Sequence, residues 1–181
     1  MWSQVSSCRD FRFVTSYATD VVVILMGVAG AGKTTVGRAL ASALGWPFVD
    51  ADDYHTQENV ARMRSGMPLT DDDRAPWLAA LHAIVARAID RREPLVLACS
   101  ALKARYRDTL ADGLRSVRFV HLAAPEAALR DRLASRREHF ARPNLLASQL
   151  SALELPDEAL VVDATLSIDQ IVRLVRDAFG I

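Results

Sequence analysis

The stretch VVVILMGVAGAGKTT, residues 21–35, combines two signals that together specify a fold. Its first six residues form an unbroken aliphatic run, which is typical of a strand buried on both faces of a parallel sheet. The next eight, Gly27 to Thr34, match the pattern G-x-x-x-x-G-K-[ST], in which a glycine-rich turn wraps backbone N–H groups around phosphate oxygens. An amphipathic helix is predicted to follow over Thr34 to Leu44, so that its positive N-terminus adds to the site. The stretch therefore predicts a nucleotide-phosphate site.

Two side chains of this motif supply chemistry beyond the backbone. In such loops the lysine, here Lys33, reaches the β- and γ-phosphates, and the hydroxyl of Thr34 binds Mg²⁺. Lys33 also stands out by composition, because Lys33 and Lys103 are the two lysines among 22 basic residues. Lysine is a compact point charge on a flexible stem, whereas arginine is a wide planar fork. Both lysines are therefore candidates for functional roles.

The rest of the chain alternates predicted strands and helices. Short apolar runs predict further strands at 47–49, 94–99, 117–122 and 160–163. Helical periodicity predicts further helices at 57–65, 75–92, 102–110, 125–137, 144–153 and 168–179. Asp72 or Asp73 is expected to cap the second of these helices, and Ser167 the last. Five strands alternating with helices predict a parallel five-stranded sheet in a three-layer α/β/α fold.

Length and composition exclude several other classes of protein. The chain has 181 residues, 51% of them hydrophobic, which is enough for one domain with its own core. Its 22 basic and 22 acidic side chains cancel, which argues against a protein that mainly coats nucleic acid. The apolar runs are too short to cross a bilayer, and two cysteines are too few for a disulfide framework or a zinc site. We therefore expect a cytoplasmic protein without nucleic-acid or membrane partners.

The first twenty residues differ from the remainder. Residues 1–20 show no sustained period and no apolar core of the signal-peptide type. We interpret them as a poorly ordered N-terminal extension or the product of an upstream start codon, with a transit peptide as the alternative, followed by a single P-loop domain at residues 21–181.

Acidic and basic side chains are expected at one edge of the predicted sheet. Asp50 and Asp52 end the second strand, and the carboxyl ends of parallel strands face the ligand crevice. A phosphotransferase needs one carboxylate near its metal and another near the acceptor hydroxyl, and this pair suits that division. A solvated acidic turn is the alternative. Three basic residues farther along the chain suit a small acidic substrate: Arg74, Lys103 and Arg107. Arg105 lies among them in the sequence, and we interpret it as a solvated surface residue.

A denser basic cluster lies between the helices predicted at 125–137 and 144–153. It comprises Arg130, Arg132, Arg136, Arg137, His139 and Arg142. In small kinases this position carries a lid that brings arginine onto the transferring phosphoryl group and excludes water. We therefore expect a lid at about residues 136–144. A helix with an ordinary basic outer face is the alternative.

Several longer strings resemble one family, the gluconokinases of the short P-loop type. The most particular are GMPLTDDDRAPWL at residues 66–78 and CSALKARYRD at 99–108. DADDYH at 50–55, REHF at 137–140 and LASQLSALE at 146–154 agree with them. The resemblance covers residues 21–181. It implies a nucleoside-monophosphate-kinase-like P-loop NTPase fold, a mobile lid, frequent homodimers, and ATP- and Mg²⁺-dependent phosphorylation of D-gluconate to 6-phosphogluconate.

The resemblance also assigns roles to individual residues. The ATP phosphates would lie against the phosphate loop, Gly27, Val28, Ala29, Gly30, Ala31, Gly32, Lys33, Thr34 and Thr35. Asp52 would be the acceptor-side carboxylate, with Thr34 and Asp50 on the metal side. Arg136 or Arg137 would be the catalytic lid arginine, and Arg132 would lie against adenine. The gluconate site would add to Asp52 the side chains of His55, Arg74, Lys103, Tyr106, Arg107 and Gln149.

Two other interpretations stay open from the sequence. Shikimate kinase shares the strand-end aspartate pair, but it needs a triple glycine after the third strand, where this chain has Cys99, Ser100 and Ala101. A nucleotide-binding regulator without transfer activity would keep the phosphate loop. Such a regulator would not need Asp52, Arg74 and Lys103 together.

Overall fold

The computed structural model describes residues 20–135 and 143–181, which form a parallel sheet with helices on both faces. The strands are β1 (Val22–Met26), β2 (Phe48–Asp50), β3 (Leu95–Ala98), β4 (Val117–Ala123) and β5 (Leu160–Asp163). They pair in the order β2-β3-β1-β4-β5, and every pairing is parallel. The predicted five-stranded, three-layer fold is confirmed.

The helices follow the strands in alternation. They are α1 (Lys33–Leu44), α2 (Gln57–Ser65), α3 (Asp71–Asp90), α4 (Ala104–Ala111), α5 (Glu126–Ala134), α6 (Pro143–Ala152) and α7 (Ile168–Phe179), with a short 3₁₀ turn at Ala51–Tyr54. As predicted, Ser167 caps α7, and its side chain accepts a hydrogen bond from the backbone N–H of Gln170. Among the described residues, no helix combines the length and the apolarity that crossing a bilayer requires.

The core lies on both faces of the central strand β1, whose five residues are completely buried. On one face, Val23 and Leu25 pack with side chains of α1 and α7 such as Leu40 and Val175. On the other face, Ile24 and Met26 pack with side chains of α3 and α4 such as Leu81 and Leu110. Because both faces are covered, every position of β1 must be apolar, which explains the unbroken run in the sequence.

Helix α3 begins four residues before the predicted start at Ala75, and its cap is neither Asp72 nor Asp73. Thr70 is the N-cap, and its hydroxyl accepts a hydrogen bond from the Asp73 N–H at 3.1 Å. The Asp73 carboxylate accepts one in return from the Thr70 N–H at 2.7 Å, so the two residues form a capping box. Asp71 consequently occupies the first turn of α3.

The order of the strands brings the loops that follow β1, β2 and β3 side by side at one edge of the sheet. Residues 1–19 and 136–142 lie outside the described residues, so the predicted extension and most of the predicted lid do too. Asp20, which the sequence assigned to the extension, already contacts the domain, because its carboxylate accepts a hydrogen bond from the Ser116 hydroxyl at 3.2 Å.

Candidate active site

The phosphate loop joins β1 to α1 and is tightly enclosed. Gly27 and Gly30 have positive φ angles of 138° and 84°. A Cβ atom at Gly27 would lie 2.8 Å from the Leu122 carbonyl oxygen, and one at Gly30 would lie 3.0 Å from that of Leu129. Glycine is therefore required at both positions for conformation and for space. The Lys33 ammonium group donates to the Gly27 and Val28 carbonyl oxygens at 2.9 and 3.2 Å, which holds it over the loop.

A hydroxyl from the start of α1 and a carboxylate from the end of β2 meet next to the phosphate loop. Thr34 donates its hydroxyl hydrogen to the Asp50 Oδ2 atom at 2.8 Å. The other oxygen of Asp50 accepts a hydrogen bond from the Asp52 N–H at 3.2 Å. Mg²⁺ prefers such oxygen ligands and commonly takes only one or two from the protein, with phosphate oxygens and water completing its shell. The pair that the sequence assigned to the metal therefore fits Mg²⁺.

Asp52 follows β2 in the 3₁₀ turn and lies in the crevice. Its side chain is open to solvent, but the surrounding protein weakens its hydration and raises its pKa, and the negative charge of Asp50 raises it further. The charges of Lys33 and His55 lower this pKa, so both groups lie within electrostatic reach of Asp52. A carboxylate with a raised pKa is suited to accept a proton.

His55 lies between Asp52 and the basic groups predicted to hold the substrate. Its ring stacks on Trp77 with centroids 4.4 Å apart and planes 9° apart. The Trp77 indole N–H is itself fixed on the Ala51 carbonyl oxygen at 2.7 Å. Partial burial lowers the pKa of His55, and the positive charge of Arg74 lowers it further, whereas the negative charge of Asp52 raises it. The net lowering of this pKa favours a neutral ring. The charges of Asp52 and Arg74 therefore act in opposite directions on the pKa of one imidazole ring.

Three cations surround the ring of Tyr106, and we call them the cation cluster. The charged ends of Arg74, Lys103 and Arg105 lie 6.0, 5.6 and 5.5 Å from the Tyr106 ring centroid. Arg105 was expected to be solvated, and more than half of its side chain is exposed, but it also forms an ion pair with Asp71. Arg105 therefore adds a positive charge at this end of the crevice that we did not predict from the sequence.

Asp71 binds several members of this group at once. The Lys103 ammonium group donates to both of its carboxylate oxygens, at 3.0 and 3.2 Å. The Tyr106 hydroxyl and the Arg105 guanidinium also donate to Asp71. The hydrogen bond from Tyr106, followed by that from Lys103, holds the pKa of Asp71 well below its usual range. Asp71 is therefore a permanent anion at the centre of the cation cluster.

Two arginines predicted to touch the substrate are hydrogen-bonded to backbone carbonyl oxygens. The Arg107 guanidinium is buried and donates to the Ala101 and Leu102 carbonyl oxygens at 3.1 and 3.2 Å. Ala101 has a φ of +44°, an unusual conformation for alanine, and Arg107 stabilises the turn that contains it. Arg74 likewise donates to the Leu69 and Thr70 carbonyl oxygens at 2.5 and 3.2 Å, although it also faces the crevice. Arg107 thus holds the backbone directly before Lys103 and so positions that residue. The hydrogen bonds described for the Arg107 side chain all go to this backbone.

Helix α6 contacts both ends of the crevice. The Gln149 side-chain oxygen accepts a hydrogen bond from the Ala29 N–H of the phosphate loop at 2.6 Å, so Gln149 lies at the phosphate end and not among the cation cluster. Glu154, just after α6, accepts from the Ala104 N–H at 2.6 Å, next to Lys103. The sequence alone had given Glu154 no role. It could have been found from the bare N-terminus of α4, whose N-cap Lys103 offers no acceptor.

The basic cluster around the predicted lid separates into different environments. Arg132 donates to the Ala164 carbonyl oxygen at 2.6 Å and to that of Gly30 at 3.4 Å, which places it beside the phosphate loop. Arg130 pairs with Glu126 one turn earlier on α5 and is exposed. Arg136 and Arg137, the candidate lid arginines, lie outside the described residues.

Comparisons with known proteins show which proteins this chain is similar to. A family model described as an AAA domain matches residues 22–156. The chain is 43% identical over 177 residues to a probable gluconokinase of Mus musculus, covering 87% of this chain and 96% of that protein. It is 45% identical to a gluconokinase of Gluconobacter oxydans, covering 75% of this chain and 76% of that protein.

Solved structures give the same result. A gluconokinase from Sinorhizobium meliloti superposes with a TM-score of 0.81 at 40% identity, covering 91% of this chain and 94% of that one. A shikimate kinase from Bacteroides thetaiotaomicron reaches a TM-score of 0.62 at 20% identity, covering 89% of this chain and 99% of that one. At that identity the second match shows a shared fold alone.

Proposed function

The chain belongs to the gluconokinase family and is an ATP-dependent kinase of gluconate, and we propose that Asp52 accepts the proton of the attacking hydroxyl. The observation that carries this assignment is the order of charges along the crevice. At the phosphate end Thr34 is hydrogen-bonded to Asp50, whose other oxygen accepts from the Asp52 N–H, and at the other end Arg74 faces the ring of Tyr106 within the cation cluster.

Gluconate has the matching polarity. It is a flexible polyol with a carboxylate at one end and the phosphorylated hydroxyl at the other. With its carboxylate at the cation cluster, its far hydroxyl lies toward Asp52 and the phosphate loop. Shikimate kinase chemistry has no comparable support, because the likeness to a shikimate kinase is limited to the fold.

The transfer then divides among residues of this chain. Asp52 orients the hydroxyl and takes its proton, for which its raised pKa suits it. Lys33 stabilises the negative charge on the transferring phosphoryl group. The other phosphate oxygens are bound by backbone amides of the phosphate loop and of the start of α1. Arg132, which is hydrogen-bonded to the Gly30 carbonyl oxygen of the phosphate loop, is proposed to lie against the adenine. A lid arginine, Arg136 or Arg137, would complete the charge stabilisation.

We propose Mg²⁺ as the metal, held by Thr34 and through water by Asp50. When bound, Mg²⁺ neutralises phosphate charge and favours in-line displacement. The 2.8 Å hydrogen bond between Thr34 and Asp50 shows that their oxygens already converge. A homodimer and a cytoplasmic location stay predictions.

Measuring ADP release with a panel of acceptors tests the proposed function. Purified full-length protein is assayed with ATP and Mg²⁺ against gluconate, glucose, shikimate or no acceptor, and the product is identified by mass spectrometry. We expect rapid turnover with gluconate and formation of 6-phosphogluconate. Equal turnover with shikimate, or ADP release that needs no acceptor, would contradict the proposal.

A further inference from the structure

Asp71 is a carboxylate for which the transfer chemistry has no use, although it lies at the gluconate end of the crevice. It begins α3, directly after the N-cap Thr70. Its position is fixed from behind, because Thr70 and Asp73 form the capping box and Arg74 holds the Leu69 and Thr70 carbonyl oxygens. Its partners Lys103, Arg105 and Tyr106 lie more than thirty residues away in sequence. A rigid carboxylate thus reaches flexible side chains from a distant segment.

The charge balance shows what this carboxylate can do. Three cations have their charged ends within 6.0 Å of one ring centroid, and such like charges repel each other. Long lysine and arginine side chains would spread into solvent without an anion among them. Asp71 supplies one negative charge, so that these four side chains keep a net charge of two positive units.

The donors are also not exhausted by Asp71. An ammonium group has three N–H donors and a guanidinium has five. The Lys103 ammonium group makes two hydrogen bonds to Asp71, and Arg74 uses one of its nitrogens on backbone oxygens. Donors therefore remain for a second carboxylate beside Asp71, so that both carboxylates can be bound at the same time.

We propose that Asp71 is a positioning residue for the carboxylate of the substrate, acting as the counter-ion that keeps Lys103 and Arg105 converged around Tyr106. The inference rests on the proposed function, because it takes a sugar acid as the ligand of the cation cluster. It assigns to Asp71 no contact with the reacting atoms. Its effect therefore falls on substrate affinity and leaves the chemical step unchanged.

The test is Asp71→Asn in the full-length protein, with initial rates measured against gluconate and against ATP. The substitution keeps the shape and removes the charge. We expect the gluconate KM to rise about tenfold or more, since hydrogen bonds to charged groups are the stronger ones, with kcat and the ATP KM within about twofold. An unchanged gluconate KM would overturn the inference. A lowered one would too, because it would show that Asp71 competes with the substrate.

Asp72→Asn is the matched control, because Asp72 lies in the same first turn, is exposed and carries the same charge. It removes the same interaction with the positive helix terminus, and we expect the gluconate KM to stay within about twofold. An equal rise in both variants would show a general charge effect and overturn the inference. Thermal melting of each variant, together with its ATP KM, separates misfolding from a local effect.

Two further variants keep the inference falsifiable if Asp71→Asn folds poorly. Asp71→Glu retains the charge and should restore part of the gluconate affinity. In a Lys103→Ala background, Asp71→Asn should raise the gluconate KM by a smaller factor than in the native chain, because its main partner is gone. If Asp71→Asn raises the gluconate KM by the same factor in both backgrounds, the role of Asp71 is purely structural and the inference is overturned. Failure of the native protein to phosphorylate gluconate would instead contradict the proposed function, and that measurement is independent of every variant.

Discussion

The two ends of the crevice are built in different ways. At the phosphate end, one contiguous stretch supplies the strand, the glycine turn, Lys33 and Thr34, and its geometry is fixed by backbone that fits only glycine. At the gluconate end, side chains from two distant segments, around Asp71 and around Lys103, meet through long flexible stems. The first end is preorganised by the main chain, whereas the second depends on ion pairing between side chains.

This difference separates what all kinases of this fold share from what is particular to one acceptor. Backbone amides around phosphate serve any nucleotide triphosphate, so the phosphate end says nothing about the acceptor. In the proposed site, the cluster of cations around an aspartate and a tyrosine would select for a carboxylate at a definite distance from the transferring group. Substitutions at the two ends should therefore change different kinetic parameters.

The largest effect is expected at Asp52, where the two ends meet. Asp52→Asn keeps the shape and removes the proton acceptor, and general-base catalysis is commonly worth about 10²–10⁴ in rate. We expect kcat to fall by that order while the ATP affinity, measured by calorimetry, stays similar. Loss of ATP binding with gluconate binding intact would instead place Asp52 on the metal side and exchange its role with Asp50.

At the phosphate end, Lys33→Ala should lower kcat by about 10², because one preorganised cationic contact to the transition state is worth about 3 kcal/mol. The gluconate KM should change little. Near-native turnover in a folded Lys33→Ala protein would contradict the role of Lys33 in stabilising the transition state at the phosphate end.

The pH dependence sharpens the role of Asp52 further. As the proposed proton acceptor, Asp52 must be deprotonated to act, and weakened hydration together with the charge of Asp50 raises its pKa, so activity should decline on acidification at a higher pH than an ordinary aspartate would cause. Below that pKa the rate should fall about tenfold per pH unit. A kcat profile without this acidic limb, recorded where the protein stays folded, would argue against a proton acceptor at this position.

The smallest effect is expected outside both ends. Deleting residues 1–19 should leave both KM values and the melting temperature nearly unchanged, because a poorly ordered extension buries little surface. A drop of several degrees would show that aromatic residues such as Trp2, Phe11 or Phe13 pack on the domain.

The sequence predicted the fold well because its signals are local, and the candidate phosphate site rests on the same local signals. A continuous apolar strand, glycines at fixed spacing and a following helix lie within fifteen residues, and Thr34 and Asp50 meet as expected. The start of α3 was predicted wrongly because aspartates are common helix caps, so that the triplet at 71–73 suggested a cap at Asp72 or Asp73. The true N-cap is Thr70, which forms a capping box with Asp73. That error also concealed the position of Asp71.

The gluconate end was predicted less completely because its partners are not local. Nothing in the sequence pairs Asp71 with Arg105, or shows that Arg107 turns inward onto the Ala101 and Leu102 carbonyl oxygens. The resemblance assigns Gln149 to the substrate, and nothing local in the sequence shows that its oxygen also accepts a hydrogen bond from the Ala29 amide. Such contacts follow from how helices pack across the sheet, and periodicity carries no information about them.

The separation of the two ends is tested most directly by Lys103→Ala and Lys103→Arg, with initial rates measured while gluconate and ATP are varied in turn. A site built to pair a buried charge can lose up to about 10⁴ in selectivity when that partner is missing. We predict a strongly raised gluconate KM in Lys103→Ala, a smaller rise in Lys103→Arg because a planar fork replaces a compact ammonium, and an ATP KM within a few-fold in both. A native gluconate KM in both variants, or an ATP KM that rises in parallel, would contradict the account.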